Sequence, residues 1–171
     1  MYKVVRKFFN ICLLREGPED LPFDASLMIR LIAVSLVISF WLGSLIHDTQ
    51  IAGMSSIAGL LFSFLFAKLL LFKTPERFMQ TFCAMLGTVT LINLISVPVI
   101  YPLTNPELNE SLVAVFGLLS FALLIWVVVV YGFIFSRAIS TSLGNGISIS
   151  VAYTLLSIVV LELFLAGKVA S

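Results

Sequence analysis

The residues of this chain whose types could do chemistry are few, and most stand inside apolar runs. Thr90, Asn93 and Ser96 or Val97 share a helical face. Pro98 cannot donate to the carbonyl of Leu94, so an acceptor is left free beside them. Two readings of this set are open: a kinked helix whose Asn93 bonds a neighbouring helix, or a polar site for a solute or ion inside a membrane. Glu162 stands in a second apolar run, where a carboxylate costs about 2 to 3 kcal/mol unless it is paired, protonated or able to reach the headgroups. Lys168 is its nearest basic residue. His47 and Asp48 could form a hydrogen-bonded pair, but Asp48 at a helix start is more simply an amino-terminal cap. Cys12 and Cys83 sit in or beside apolar segments and read as reduced, small apolar residues. No HExxH, GxSxG, P-loop or dinucleotide fingerprint occurs, and no histidine or cysteine spacing suits a metal. The expectation is therefore a protein that is not an enzyme, with no catalytic residue, cofactor or metal, and with no sizeable extramembrane domain to recognise nucleic acid.

The elements that must carry these residues are membrane spans. Ser111 to Phe135 holds no charge and is apolar almost throughout. About 20 apolar residues rising 1.5 Å each cross a hydrocarbon core of roughly 30 Å. Hydrophobic residues make up 60% of the 171 and charged ones 11%, with a mean hydropathy of +1.14, which sets the chain apart from soluble domains. The apolar runs predict an all-α, polytopic membrane bundle of five transmembrane helices over about 27–46, 51–72, 78–101, 111–135 and 147–166. Residues 27–171 form one transmembrane domain on this reading. Ser35, Ser39 and Gly43 in the first span and Ser55, Gly59, Ser63 and Ala67 in the second recur at four-residue spacing, and are expected to form the face along which that hairpin packs. Ser136 to Gly146 reads as a flexible turn.

Residues 1–26 are different. Lys3, Arg6 and Lys7 accompany Val5, Phe8, Phe9, Cys12 and Leu13 at helical spacing, which predicts a short amphipathic helix in the membrane interface rather than a signal peptide. Glu16 to Asp24 then combines two prolines, a glycine and four acids, and must turn the chain. Asp24 or Ser26 can cap the first span. Four carboxylates close to an anionic surface call for basic partners. Asp20 or Glu19 is expected to pair with one of Arg15, Arg30, Lys73, Arg77 or Arg137, clamping the amino-terminal helix to the bundle.

Basic residues alternate between loops, which sets the amino terminus inside and the carboxyl terminus outside. With this topology, and with GPEDLPFD before the first span and VAYTLLS in the last, the chain resembles the Yip1 domain family of five-span integral membrane proteins. The resemblance implies a non-enzymatic role in membrane organisation or in binding membrane-protein partners. It also implies a bacterial inner (plasma) membrane location, and carries partner recognition onto Gly17, Pro18, Asp20 and Leu21; Arg15 and Pro22 complete that candidate elbow. Partners expected are the lipid bilayer and a membrane protein or a second copy. The alternative is a small transporter or channel subunit using Thr90, Asn93, Pro98 and Glu162. A reporter fused after Ser171 should be active outside and one at Asn145 inside; a cytoplasmic signal from the carboxyl-terminal fusion would remove the fifth span or invert the bundle.

Overall fold

The computed structural model describes residues 2–105 and 107–169, apart from the side chains of residues 2 and 164–169. The described residues form six α-helices, α1 (Tyr2–Cys12), α2 (Ala25–Ser44), α3 (Thr49–Leu70), α4 (Phe78–Ile100), α5 (Glu110–Ala138) and α6 (Leu143–Val169). Single 3-10 turns at Pro18–Asp20, Pro75–Arg77 and Tyr101–Thr104 join some of them, and the described residues contain no strand. α2 to α6 are each long and apolar enough to cross a membrane.

Capping side chains mark the starts of α2 and α5. Asp24 accepts from the Ser26 amide at 2.8 Å and opens α2; Asn109 accepts from the Ser111 amide at 3.1 Å and opens α5. Asp48 occupies the corresponding position before α3, yet its side chain accepts no capping hydrogen bond, contrary to expectation. The expected flexible turn at 136–146 is also corrected, because α5 continues to Ala138 and α6 already begins at Leu143. The glycines there serve packing. A Cβ at Gly132 would come 2.8 Å from the Ile147 Cα, and one at Gly146 would strike Ser136 and the Gly132 carbonyl. With buried Ser136 and Ser150, these glycines form the small-residue crossing that brings α5 against α6.

α4 is the central helix, packed against α1, α2, α3 and α5, while α3 also meets α6. Every residue from Thr81 to Thr88 is buried. The core lies at the end of the bundle that carries α1: Phe8, Ile11, Leu71, Phe82, Ile134 and Phe135 are buried there, whereas Val37, Trp41, Leu112, Leu118 and Leu163 toward the far end are exposed. Aromatic rings fill this end. Tyr153 meets Phe66 edge-on at 4.9 Å and lies 5.3 Å from both Phe62 and Tyr131.

The first hairpin closes differently from the expected stripe. Gly43 approaches Ala52 closely, with 3.2 Å left for a Cβ against the Ala52 Cβ, but Gly59 has nothing within 4 Å. Ser35, Ser39, Ser55 and Ser63 line a cavity. Gly146→Ala should therefore cost about 1 to 3 kcal/mol through overpacking, whereas Gly59→Ala should be neutral or stabilise by up to about 1 kcal/mol. Thermal melts of the two variants in one detergent compare them directly.

Candidate functional site

The first candidate is the elbow, whose geometry begins where α1 stops. Leu14 takes a left-handed conformation, φ 59°, while the Leu14 amide donates to the Ile11 carbonyl and the Arg15 amide to the Asn10 carbonyl, both at 2.9 Å. This paired arrangement usually employs glycine; leucine there costs about 1 to 2 kcal/mol. Asn10 then donates to the Glu16 carboxylate at 2.8 Å. Buried Pro18 opens the 3-10 turn, and the Gly17 amide donates to the Asp20 carboxylate at 2.8 Å. Asp20 thus uses its carboxylate to shape its own turn, and its carbonyl accepts from Lys7 of α1.

Glu19 makes the longer connection. Its carboxylate forms an ion pair with Arg137 at the end of α5 and accepts from the Arg137 Nε at 2.6 Å. Gln80 of α4 donates to the carbonyl of buried Leu21 at 2.7 Å. Pro22 is exposed, as is Arg15, whose side chain makes no hydrogen bond to a described residue, and Arg30 pairs with Asp24 at the start of its own helix at 3.8 Å. The elbow therefore straps α1 to the ends of α4 and α5.

α1 itself is docked. Phe8, Ile11 and Cys12 are buried, and Gly87 of α4 leaves the space that the Phe8 ring fills. The Trp126 indole of α5 donates to the Cys12 carbonyl at 3.1 Å. Burial pushes the Cys12 thiol up to about 11, against an ordinary value near 9. Val5, Phe9 and Leu13, one helical turn apart from one another, remain about half exposed on an adjoining face.

The intramembrane candidates do not converge on one point. Thr90 is buried and returns its hydroxyl to the Leu86 carbonyl at 2.7 Å, lining an apolar groove of about 310 Å³ beside Phe8, Pro22 and Arg30. Asn93 is half-buried, and its amide makes no hydrogen bond to a described residue; Pro98 is exposed near the end of α4, which runs through it to Ile100. Glu162 is exposed, and the side chain of Lys168 lies outside the described residues.

A different polar feature occupies the bundle. A cavity of about 280 Å³ lies between the α2–α3 and α5–α6 hairpins, lined by Ser35, Ser39, Ser56, Ser63, Tyr153 and Ser157 among others. The Ser63 hydroxyl stands 2.8 Å from the Gly59 carbonyl and 2.7 Å from the Tyr153 phenol, so it donates to the first and accepts from the second. Tyr131 donates to the Met85 carbonyl at 3.4 Å. The serine spacing was visible in the sequence, but Tyr153 lies ninety residues from its partner and carries no local signal.

No group of His, Cys, Asp or Glu among the described residues could hold a metal ion. The chain matches no protein-family model, no curated protein and no solved structure. The fold alone defines its class, an all-helical integral membrane protein with five candidate spans.

Two outcomes test this geometry. Asp20→Ala, which removes the acceptor of the Gly17 amide, should cost about 0.5 to 2 kcal/mol, whereas Glu19→Gln, which breaks only an exposed pair, should cost under about 1 kcal/mol. In a Cys83→Ser background, a water-soluble maleimide at neutral pH should label Cys12 at least about tenfold slower in the folded protein than after unfolding in dodecyl sulfate, because burial both shields the thiol and suppresses the thiolate.

Proposed function

We propose that this protein is a non-enzymatic integral membrane protein, Yip1-like in organisation, that acts by binding membrane-protein partners or a second copy and by organising its bilayer. The observation that supports this reading is the division of the α1 apolar surface. One part, Phe8, Ile11 and Cys12, is buried against the bundle; the other, Val5, Phe9 and Leu13, stays exposed beside exposed Lys3 and Arg6. A helix fixed to a bundle end, with an apolar stripe next to a basic one, suits insertion into the headgroup boundary. Lys3, Arg6, Lys7, Arg30, Lys73, Arg77 and Arg137 gather at the α1 end, which supports an amino terminus on the cytoplasmic side of a bacterial inner membrane. Of the elbow residues, Arg15, Asp20 and Pro22 are exposed and provide the edge that a partner would contact, while Gly17, Pro18 and Leu21 are buried beneath them. Affinity purification in mild detergent should recover a reproducible membrane-protein partner or a dimer, weakened when Val5, Phe9 and Leu13 are all changed to Ser. A monodisperse monomer with no reproducible partner overturns the reading.

A second reading, a small transporter or channel subunit, is favoured by the hydroxyl-lined cavity, which could accept a small polar solute between the two hairpins. Asn93 and Glu162 remain its outlying polar elements. Proteoliposomes should show flux that falls in Tyr153→Phe, Asn93→Leu and Glu162→Gln; absence of flux for ions and small solutes in the wild type removes this reading.

A further inference from the structure

A second polar cavity, about 380 Å³, opens where α4 begins and α5 ends, beneath the elbow. Its character is set by two guanidiniums. Arg77 stands in the 3-10 turn that starts α4, and Arg137 in the last turn of α5, the positions at which apolar span gives way to polar chain. Arg77 spends one nitrogen, Nη1, on the carbonyls of Arg137 and Ala138 at 3.4 and 3.0 Å and on the Ser140 hydroxyl at 2.7 Å. It thereby caps the carbonyl end of α5. Its Nε and Nη2 make no hydrogen bond to a described residue. Ser140, held at φ 55°, keeps its hydroxyl turned to Arg77.

The remaining lining supplies neutral donors. The Thr141 hydroxyl accepts from Asn145 at 3.1 Å and has no described acceptor for its own proton. Thr81 is 1% exposed, and its hydroxyl oxygen is buried with no hydrogen-bond partner among the described residues. A buried hydroxyl left unpaired is costly, and such groups ordinarily find a partner. One anion already leans into the cavity: the Glu19 carboxylate on Arg137. Both side chains of that pair are about half exposed, so the bond is weak and exchangeable. With Glu19 in place the lining carries two cationic groups and one anionic group; with Glu19 displaced, two guanidiniums face a single ligand.

The geometry points to a phosphate-binding site in this cavity, in which Arg77 and Arg137 hold the anion, Thr81 and Thr141 donate to its oxygens, and Glu19 occupies the Arg137 side until a phosphate displaces it. Guanidiniums match phosphate oxygens in geometry as well as in charge. A basic cavity between spans, at the depth where the helices end, is a setting in which acidic phospholipid headgroups bind. Free phosphate shares the chemistry and differs in lacking acyl chains beside the helices.

The test uses the full chain, delipidated in a neutral detergent and examined by native mass spectrometry. Three probes are offered: phosphatidylglycerol, phosphatidylcholine, and phosphatidylglycerol in the presence of inorganic phosphate. The expected result is one tightly held phosphatidylglycerol, preferred over phosphatidylcholine by about tenfold or more. Arg137→Gln should abolish the preference while leaving the Arg77 cap of α5 intact. Thr81→Val should weaken binding about threefold or more without lowering the melting temperature, because the hydroxyl it removes has no partner to lose. Glu19→Gln should tighten binding, since it removes the competing carboxylate. Competition by millimolar inorganic phosphate, with no retention of phosphatidylglycerol, would assign the same site to a soluble phosphate. No retention of phosphatidylglycerol and no competition by inorganic phosphate, or binding indifferent to Arg137→Gln and Thr81→Val in variants that melt like the wild type, overturns the proposal.

Discussion

Burial of the first half of α4 is the constraint from which the rest of the bundle follows. Thr81 to Thr88 spans more than two helical turns without an exposed position, so every face of that segment must be covered by another element. The membrane-spanning neighbours α2, α3 and α5 cover most of it, and α1 with the elbow covers the remainder, with Phe8 seated over Gly87. A transmembrane segment could instead have been covered by lipid. Here it is covered by protein, which ties α1 and the Leu21 elbow into the same core as the spans.

Polar side chains within the spans do little to join helix to helix. Thr88, Thr90, Ser96, Ser56 and Thr154 each return a hydroxyl to a carbonyl three or four residues back in their own helix. That is the cheapest way to satisfy a donor in hydrocarbon, and it leaves association to close packing. The Gly132–Gly146 crossing supplies the tightest example. Where small residues face one another without interdigitating, as with Ser35, Ser39 and Ser63, they leave the hydroxyl-lined cavity, bridged mainly by the Ser63–Tyr153 bond. The same residue types thus produce contact at the Gly132–Gly146 crossing and space at Ser35, Ser39 and Ser63.

This explains how much was legible in the sequence. The five spans were, because hydropathy integrates over twenty residues and survives local error. The Asp24 cap was legible from a three-residue pattern, while the same logic failed at Asp48, whose backbone occupies the cap position without the side-chain bond. Extension of α5 and α6 into 136–146 was not legible, since glycine and serine there look like a turn until their packing across the crossing is seen. The prolines, glycine and acids of Glu16–Asp24 called for a turn, and Gly17 and Asp20 share one there, whereas Thr90 and Asn93 were grouped by periodicity within one helix and Glu162 by its place in another apolar run. α4 and α6 are not among the closely packed helix pairs.

At the α1 end of the bundle two helices stop in the same uncommon way. Leu14 after α1 and Ser140 after α5 both adopt left-handed backbone that glycine would take without cost, and both complete paired carbonyl bonds, Arg15 to Asn10 and Thr141 to Ser136. Neither strained residue would persist unless its surroundings over-determined it. At Ser140 the reason is chemical, for its hydroxyl receives Arg77. At Leu14 the turn aims the chain into the Glu16–Leu21 elbow, which Lys7, Gln80 and Arg137 then hold from three different helices. The polar contacts at the two helix ends converge on the mouth of the arginine-lined cavity, and Glu19 belongs both to the elbow and to that cavity, so the conformation of the elbow and the electrostatics of the cavity are linked.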